Sequence, residues 1–236
     1  MNANDPNVVL LEVVAERLGD DLRDEMVFVG GAVAGLLITD PAMPAIRPTE
    51  DVDLLCQAVV LADYHRVEKA LRTRGFVQDM RPQAPICRWQ IASVVVDVMP
   101  PLKEVLGFAN RWYPLALETA VTVTLPSGHP IRLLTAPVFL ATKLEAFDGR
   151  GQGDFLFSHD LGDLLAVVDG RDVLLEECRA SPRDLKAYLA ERFQALLAQP
   201  AFTDALPGHL PGDPASQERL PELLEKLHGI AGLHSS

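Results

Sequence analysis

Cysteine is scarce. Cys56, Cys87 and Cys178 are all the chain has, an odd number without the paired spacing of a zinc site or a disulfide framework. That excludes a disulfide-stapled scaffold; the expectation is a reduced, cytoplasmic setting with the thiols packed as small apolar side chains. Long apolar runs are missing too. None approaches the roughly 20 residues needed to cross a bilayer, so no membrane partner is expected. The opening residues, Met1-Asn2-Ala3-Asn4-Asp5-Pro6, lack the basic-then-apolar order of a secretory signal. Positive charge is in deficit: 21 Lys and Arg against 33 Asp and Glu give a net charge of −12. A surface that tracks nucleic acid over its whole extent is thereby excluded, because such binding depends on clustered cations. A local basic groove stays open. Arg66, Lys69, Arg72 and Arg74, followed by Arg81 and Arg88, form either such a groove or a solvated helix face. Internal repeats and low-complexity segments are absent as well.

What is present fits an ordinary globular protein. With 236 residues, the chain can bury a substantial core in one large domain or two small ones. Apolar residues at helical spacing (Val8, Leu11, Val14, Ala15, Leu18) predict a first helix over 7–18, ended by Gly19 and the acidic run behind it. Met26-Val27-Phe28-Val29 reads as a buried strand entering a tight turn at Gly30-Gly31, after which 32–37 restarts as a short helix. Residues 40–48, with three prolines, form a loop. Strands follow at 51–55, 76–80, 86–91 and 93–99, a helix capped by Gly75 lies over 62–74, and 119–125 with 131–134 make a hairpin around Ser127-Gly128. From Pro137 onward the pattern turns helical, over 138–147, 160–168, 173–179, 182–197 and 220–231, with 201–216 as a Pro- and Gly-rich connecting loop. Trp89 and Trp112 read as core or interface residues. The expectation is an α/β (α+β) chain: a mixed sheet flanked by helices in a domain over 1–136, then a helical domain over 137–236.

The most informative stretch is Asp51-Val52-Asp53. Carboxylates at i and i+2 on a strand point to one face, where like charges repel. A divalent cation between them removes the objection, and Mg²⁺ or Mn²⁺ prefers carboxylate oxygens. Asp97 is the one charged residue in another β-branched strand. If its strand neighbours that of Asp51 and Asp53, three carboxylates converge on ions that could bridge triphosphate oxygens and an attacking hydroxyl. Gly30-Gly31, between a strand and a helix, lets backbone approach phosphates. Arg47, just before the acidic strand, is either a phosphate contact or a plain loop charge. Ser158 reads as the cap of the helix beginning near Asp160, the rival being general-base chemistry at His159.

In this order, Val29-Gly30-Gly31, Thr49-Glu50-Asp51-Val52-Asp53 and Asp97 resemble the nucleotidyltransferase superfamily built on the DNA polymerase β fold. Lys143-Leu144-Glu145-Ala146-Phe147, with Arg150, Asp154, Ser158-His159-Asp160 and Asp163, resembles the C-terminal signature of AbiEii-type nucleotidyltransferases, the toxins of toxin–antitoxin and abortive-infection systems. The resemblance spans 24–175. It implies transfer of a nucleoside monophosphate from an NTP to an acceptor hydroxyl, on an RNA such as a tRNA end or on a protein, with a cognate antitoxin as partner. It also implies roles. Asp51 and Asp53 bind both metals, and Asp97 joins at the acceptor side. Gly30, Gly31 and Thr49 contact the triphosphate and Lys143 places a positive charge on it. Asp160 orients Lys143 or touches base or ribose. Two departures stand out: Gly31 replaces the Ser of many members, and the interval from Gly31 to Asp51 is longer than usual and carries Pro41, Pro44 and Pro48. Two other readings remain open. One is a regulatory NTP-binding module with a degenerate catalytic site. The other is an adenylyltransferase acting on an aminoglycoside, whose positive charge an acidic surface would attract.

Overall fold

The computed structural model describes residues 1–151 and 153–235. The chain opens with α1 (Pro6–Asp24), enters β1 (Met26–Val29) and turns through a 3₁₀ segment (Gly31–Val33) into the short α2 (Ala34–Leu37). There follow β2 (Asp51–Cys56), α3 (Leu61–Thr73), β3 (Val77–Gln78), β4 (Arg88–Ile91) and β5 (Val94–Met99). Next come α4 (Lys103–Leu106), α5 (Tyr113–Thr119) and the hairpin of β6 (Val121–Thr124) and β7 (Pro130–Leu133). The rest is helical: α6 (Ala136–Arg150), α7 (His159–Gly170), α8 (Leu174–Ala180), α9 (Arg183–Leu197), α10 (Pro200–His209), α11 (Pro214–Gln217) and α12 (Leu220–Ala231). The fold is α/β, and its strands form one mixed sheet. No helix among the described residues is long and apolar enough to cross a membrane.

Two compact units emerge. One joins Met1–Val33 to Arg47–Thr135; the other joins Ala34–Ile46 to the chain from Ala136 onward. The first holds a seven-stranded sheet in the order β3-β4-β5-β2-β1-β7-β6. β2 runs parallel to β5 and antiparallel to β1. Strand alternation separates the two faces of this sheet. Val52, Leu54, Val96, Val98, Trp89 and Ile91 are buried on one face, whereas the alternate positions Asp51, Asp53, Val95 and Arg88 are half-buried on the other. α1 packs against β1, β2, β5 and β7 with Leu11, Val14, Ala15 and Leu18 fully buried. Each such side chain contributes about 1.5–3 kcal/mol for the larger aliphatics. From α3 the Tyr64 hydroxyl donates to the Val98 carbonyl at 2.9 Å.

The first helix is longer than its hydrophobic pattern predicts. Gly19 does not end it but kinks it, at φ 66° and ψ 167°, and the helix resumes to Asp24. The kink frees carbonyls of the preceding turn, and buried Arg23 reaches back to donate to the Ala15 carbonyl at 3.0 Å. Leu22 is thereby carried into the core. The strand expected over 76–80 shrinks to the edge pair Val77–Gln78.

In the second unit, α6, α7, α9 and α12 pack on one another through Phe139, Leu140, Leu144, Leu164, Leu165, Leu189, Phe193, Leu223 and Leu227. The segment 34–46 is tied to these helices. The backbone N–H groups of Thr39 and Asp40 donate to the Gly170 carbonyl at 2.9 and 3.0 Å. Arg171 donates to the Leu37 carbonyl at 2.7 Å, and Arg219 pairs with Asp40 at 2.9 Å. The connecting loop expected over 201–216 is a correction: it holds α10 and α11. Pro200 and Pro214 stand at first-turn positions, where a missing N–H costs nothing, and Phe202 and Leu206, four apart, bury one face of α10. Proline content read as a loop signal was in fact a helix-start signal.

Candidate active site

The first unit brings the sheet acids together. Because β2 and β5 are parallel and adjacent, Asp53 stands directly beside Asp97, and Asp51 beside Val95. Residues opposite in register share a face, so the three carboxylates lie on the face away from the valine-lined core. β1 ends against them: Val29 pairs with Asp53, and the chain then turns at Gly30 with φ +74°. A Cβ built on Gly30 would lie 1.9 Å from Asp53 Oδ2. Gly30 is therefore needed twice, for its left-handed backbone and for the space that the Asp53 carboxylate fills. Gly31 opens the 3₁₀ segment behind it.

A residue that sequence reasoning left in a loose basic cluster closes this group. Arg88 on β4 faces Asp97 across the β4–β5 pair. Its Nε donates to Asp97 Oδ1 at 2.9 Å and its Nη2 to Oδ2 at 2.7 Å. This fork-to-fork pairing takes both oxygens of Asp97. The hydrogen bond to Asp97 raises the Arg88 pKa further above its ordinary value; desolvation opposes the shift and the charges of Asp97 and Asp51 add to it. Burial, reinforced by the Asp97 charge, pushes the neighbouring Cys87 thiol up to about 12, so this sulfur stays a neutral packing group. The register is fixed by the two-residue turn at Ala92-Ser93, which sets Arg88 opposite Asp97.

The donor chemistry suits a hard divalent ion: carboxylates on adjacent strands, with Asp53 fitted into the space over Gly30. As the side chains stand, no three His, Cys, Asp or Glu among the described residues form a metal-holding group. Asp51 and Asp53 are the half-buried acids of this face, and Asp97 beside them is paired with Arg88.

Arg47 and Thr49 serve the entry to β2. Asn7 of α1, itself buried, donates from Nδ2 to the Arg47 carbonyl at 3.0 Å and accepts from the Thr49 N–H at 2.8 Å. The Thr49 hydroxyl lies 3.1 Å from the Asp51 carbonyl. Asn7 escaped notice because nothing in the spacing sets it apart from a first-turn helix residue.

The second unit brings Lys143 and Asp160 together. Lys143 is 6% exposed and donates to Asp163 Oδ2 at 2.7 Å and Asp160 Oδ1 at 3.2 Å. Arg150 clasps the same Asp160, Nε to Oδ2 and Nη2 to Oδ1, each at 2.8 Å. Burial opposes ionisation of Asp160, but the hydrogen bonds and charges of Arg150 and Lys143 together outweigh it and hold the carboxyl below its ordinary value. Ser158 caps α7 by accepting from the Leu161 N–H at 3.4 Å.

No protein-family model and no curated protein matches the chain. Among solved structures the chain is similar to the antibiotic-resistance factor ANT(2″)-Ia, at 14% identity and a TM-score of 0.46, over 81% of this chain and 95% of that one. It is also similar to a protein from H. pylori assigned as a nucleotidyltransferase, at 12% identity and a TM-score of 0.46, over 100% of this chain and 98% of that one. At this degree of likeness neither neighbour carries an assignment of activity.

Proposed function

We propose that the chain is a metal-dependent nucleotidyltransferase of the DNA polymerase β superfamily, of AbiEii type. The observation that supports this best is the placing of Asp51, Asp53 and Asp97 on one face of two adjacent parallel strands, beside a glycine turn that a single Cβ would block. In this reading an acceptor hydroxyl attacks the α-phosphorus of an NTP, the bond to the β-phosphate breaks and pyrophosphate leaves. Mg²⁺ or Mn²⁺ held by the carboxylates would neutralise triphosphate charge and lower the pKa of the acceptor hydroxyl. Asp51 and Asp53 are the shared ligands and Asp97 the acceptor-side one. Gly30 and Gly31 leave room for the triphosphate, with Arg47 and Thr49 the further nucleotide-site residues of the same unit. The acceptor is an RNA end or a protein, and a cognate antitoxin is the expected partner.

Incubation with labelled NTPs, Mg²⁺ and total cellular RNA or protein should transfer label in the wild type and not in Asp53→Ala. Equal labelling by both would end the proposal. One observation favours a second reading, an NTP-binding module without catalysis: Arg88 holds both oxygens of Asp97. That reading predicts Mg²⁺-dependent NTP binding by calorimetry with no pyrophosphate release from any acceptor pool.

A further inference from the structure

Residues 66–88 hold six cations, Arg66, Lys69, Arg72, Arg74, Arg81 and Arg88, against Glu68 and Asp79 within the stretch and Asp97 beyond it. In a chain with a net charge of −12 this is a local inversion of sign. The fold of the first unit gathers the stretch at one edge of the sheet. α3 packs against β3, and Arg72 near its end donates from Nη2 to Gln78 Oε1 at 2.9 Å and lies 5.1 Å from the centre of the Trp89 ring. Past β3 the ladder runs one residue further, where the Asp79 N–H donates to the Arg88 carbonyl at 2.9 Å. Asp79, Arg88 and Asp97 therefore stand in one row across the strands. Arg88 and Arg81 line an open cavity of about 450 Å³ there, together with Pro82, Gln83 and Ala84.

The row orients both arginines. Asp97 takes Nε and Nη2 of Arg88, and Asp79 takes Nε and Nη2 of Arg81. Each carboxylate occupies one edge of a planar guanidinium and fixes its plane, while neither Nη1 makes a hydrogen bond among the described residues. The edge that carries Nη1 can receive a second anion, and a fork held in advance loses less entropy on binding. Pro82 and Pro85 stiffen the loop that forms the cavity wall, and Met80 and Ile86 in the same loop are exposed apolar side chains beside the charges. Arg81 is 70% exposed, and Arg66 and Arg72 are exposed as well, so the cations along this edge are within reach of a ligand. Cations spread along an edge suit several phosphates in series better than one small anion. We infer that the β3–β4 edge is a binding surface for a polynucleotide, with one of its phosphates in the cavity lined by Arg81 and Arg88. One step rests on the nucleotidyl-transfer reading: Arg88 touches both the cavity and Asp97, so in that reading the bound polynucleotide is the acceptor. A cationic aminoglycoside is repelled at such an edge.

The test needs no turnover: fluorescence anisotropy of a labelled single-stranded oligoribonucleotide, titrated with the full chain in EDTA. Arg81→Gln should weaken binding about tenfold, and should lower the slope of log affinity against log salt by about 1. Arg81→Lys keeps the charge without the fork, so it should keep the slope and lose part of the affinity. Arg88→Gln should weaken binding to the same extent as Arg81→Gln; the exposed Arg81 carries the test alone if Arg88→Gln does not fold. Arg179→Gln, which removes an exposed charge from the helical unit, is the control for net charge and should leave affinity within about twofold of wild type. No binding by wild type, or equal weakening in Arg81→Gln and Arg179→Gln, overturns the inference. ATP in EDTA separates the two sources of phosphate. Its affinity should be the same in wild type and Arg81→Gln, and a tenfold loss there would give the cavity to the nucleotide and overturn the inference. The two readings can fail separately. If RNA binding ignores Arg81 while Asp53→Ala still abolishes label transfer, the binding surface falls and the transfer reading stands. If RNA binding follows Arg81 while Asp53→Ala labels as well as wild type, the surface stands and the transfer reading falls.

Discussion

The two units each hold a cluster of aspartates with basic partners, and the clusters differ in how open they are. On the sheet, Asp51, Asp53 and Asp97 share one face on which Arg88 grips Asp97, and Asp51 and Asp53 are half-buried. Among the helices, Asp160 and Asp163 face Lys143 and Arg150, and the acids are 4% and 2% exposed. In the helical cluster Lys143 and both acids are buried and paired with one another, and the exposed Arg150 clasps Asp160 from the solvent side. The sheet cluster is more open, with Asp51 and Asp53 half-buried, an arrangement that a ligand can reach. Acids on a reachable face leave room for a ligand; acids paired in the interior point first to structure. Lys143 is therefore held by its neighbours whether or not a nucleotide also meets it.

The largest effect expected from this contrast is on activity alone. Asp51→Asn should lower nucleotidyl transfer by about 10³- to 10⁴-fold, the loss of several kcal/mol of charge stabilisation. Its unfolding free energy should stay within about 1 kcal/mol of wild type, because removing one of several like charges relieves repulsion. Urea denaturation beside a single-turnover assay checks both halves. A large loss of stability would show that the sheet acids also hold the fold together.

Asp163→Asn should do the reverse. It leaves Lys143 buried with a weakened partner set and should cost about 3 kcal/mol in urea denaturation. The same cluster sets an acid limb. Asp160 is held below its ordinary value by Arg150 and Lys143, so its contribution is complete above the unfolded carboxyl range near pH 4 and fades as pH falls through the lower folded value. Stability measured from pH 5 to pH 2 should therefore drop less steeply in Asp160→Asn than in wild type. Equal slopes would remove Asp160 from the account.

Gly30→Ala joins the two kinds of effect at one residue. The left-handed backbone alone should cost about 1–2 kcal/mol, and the new methyl must drive the Asp53 carboxylate from its place. Activity should fall with stability here, unlike in Asp51→Asn. An active Gly30→Ala enzyme would mean that Asp53 can work from another rotamer.

Much of this was legible in the sequence, and the gaps have physical causes. The β-branched run around Asp97 placed it on a strand, and the Gly30-Gly31 turn was read from its neighbours. Helix ends past Gly19 and over 200–217 were missed because one residue type serves two purposes: glycine kinks as well as stops, and proline starts helices as well as breaks them. Arg88 was missed for a subtler reason. Its pairing with Asp97 follows from the register of β4 and β5, which a two-residue turn fixes. That turn is Ala92-Ser93, without the Asn or Gly that announces such turns in a sequence.

The turn supplies the smallest effect and the finest test. Ala92 has φ 51°, the one non-glycine residue in the left-handed region among the described residues. An L side chain there costs about 1–2 kcal/mol, of which the greater freedom of glycine in the unfolded chain gives back a part. Ala92→Gly should therefore raise stability by about 0.5–1 kcal/mol in urea denaturation. Since Ile91 still pairs with Val94 and Arg88 with Asp97, nucleotidyl transfer in a single-turnover assay should not change. If stability and transfer shifted together, the strain at Ala92 would be acting on the Arg88–Asp97 pair. The sheet site could then no longer be treated as separable from the stability of its own hairpin.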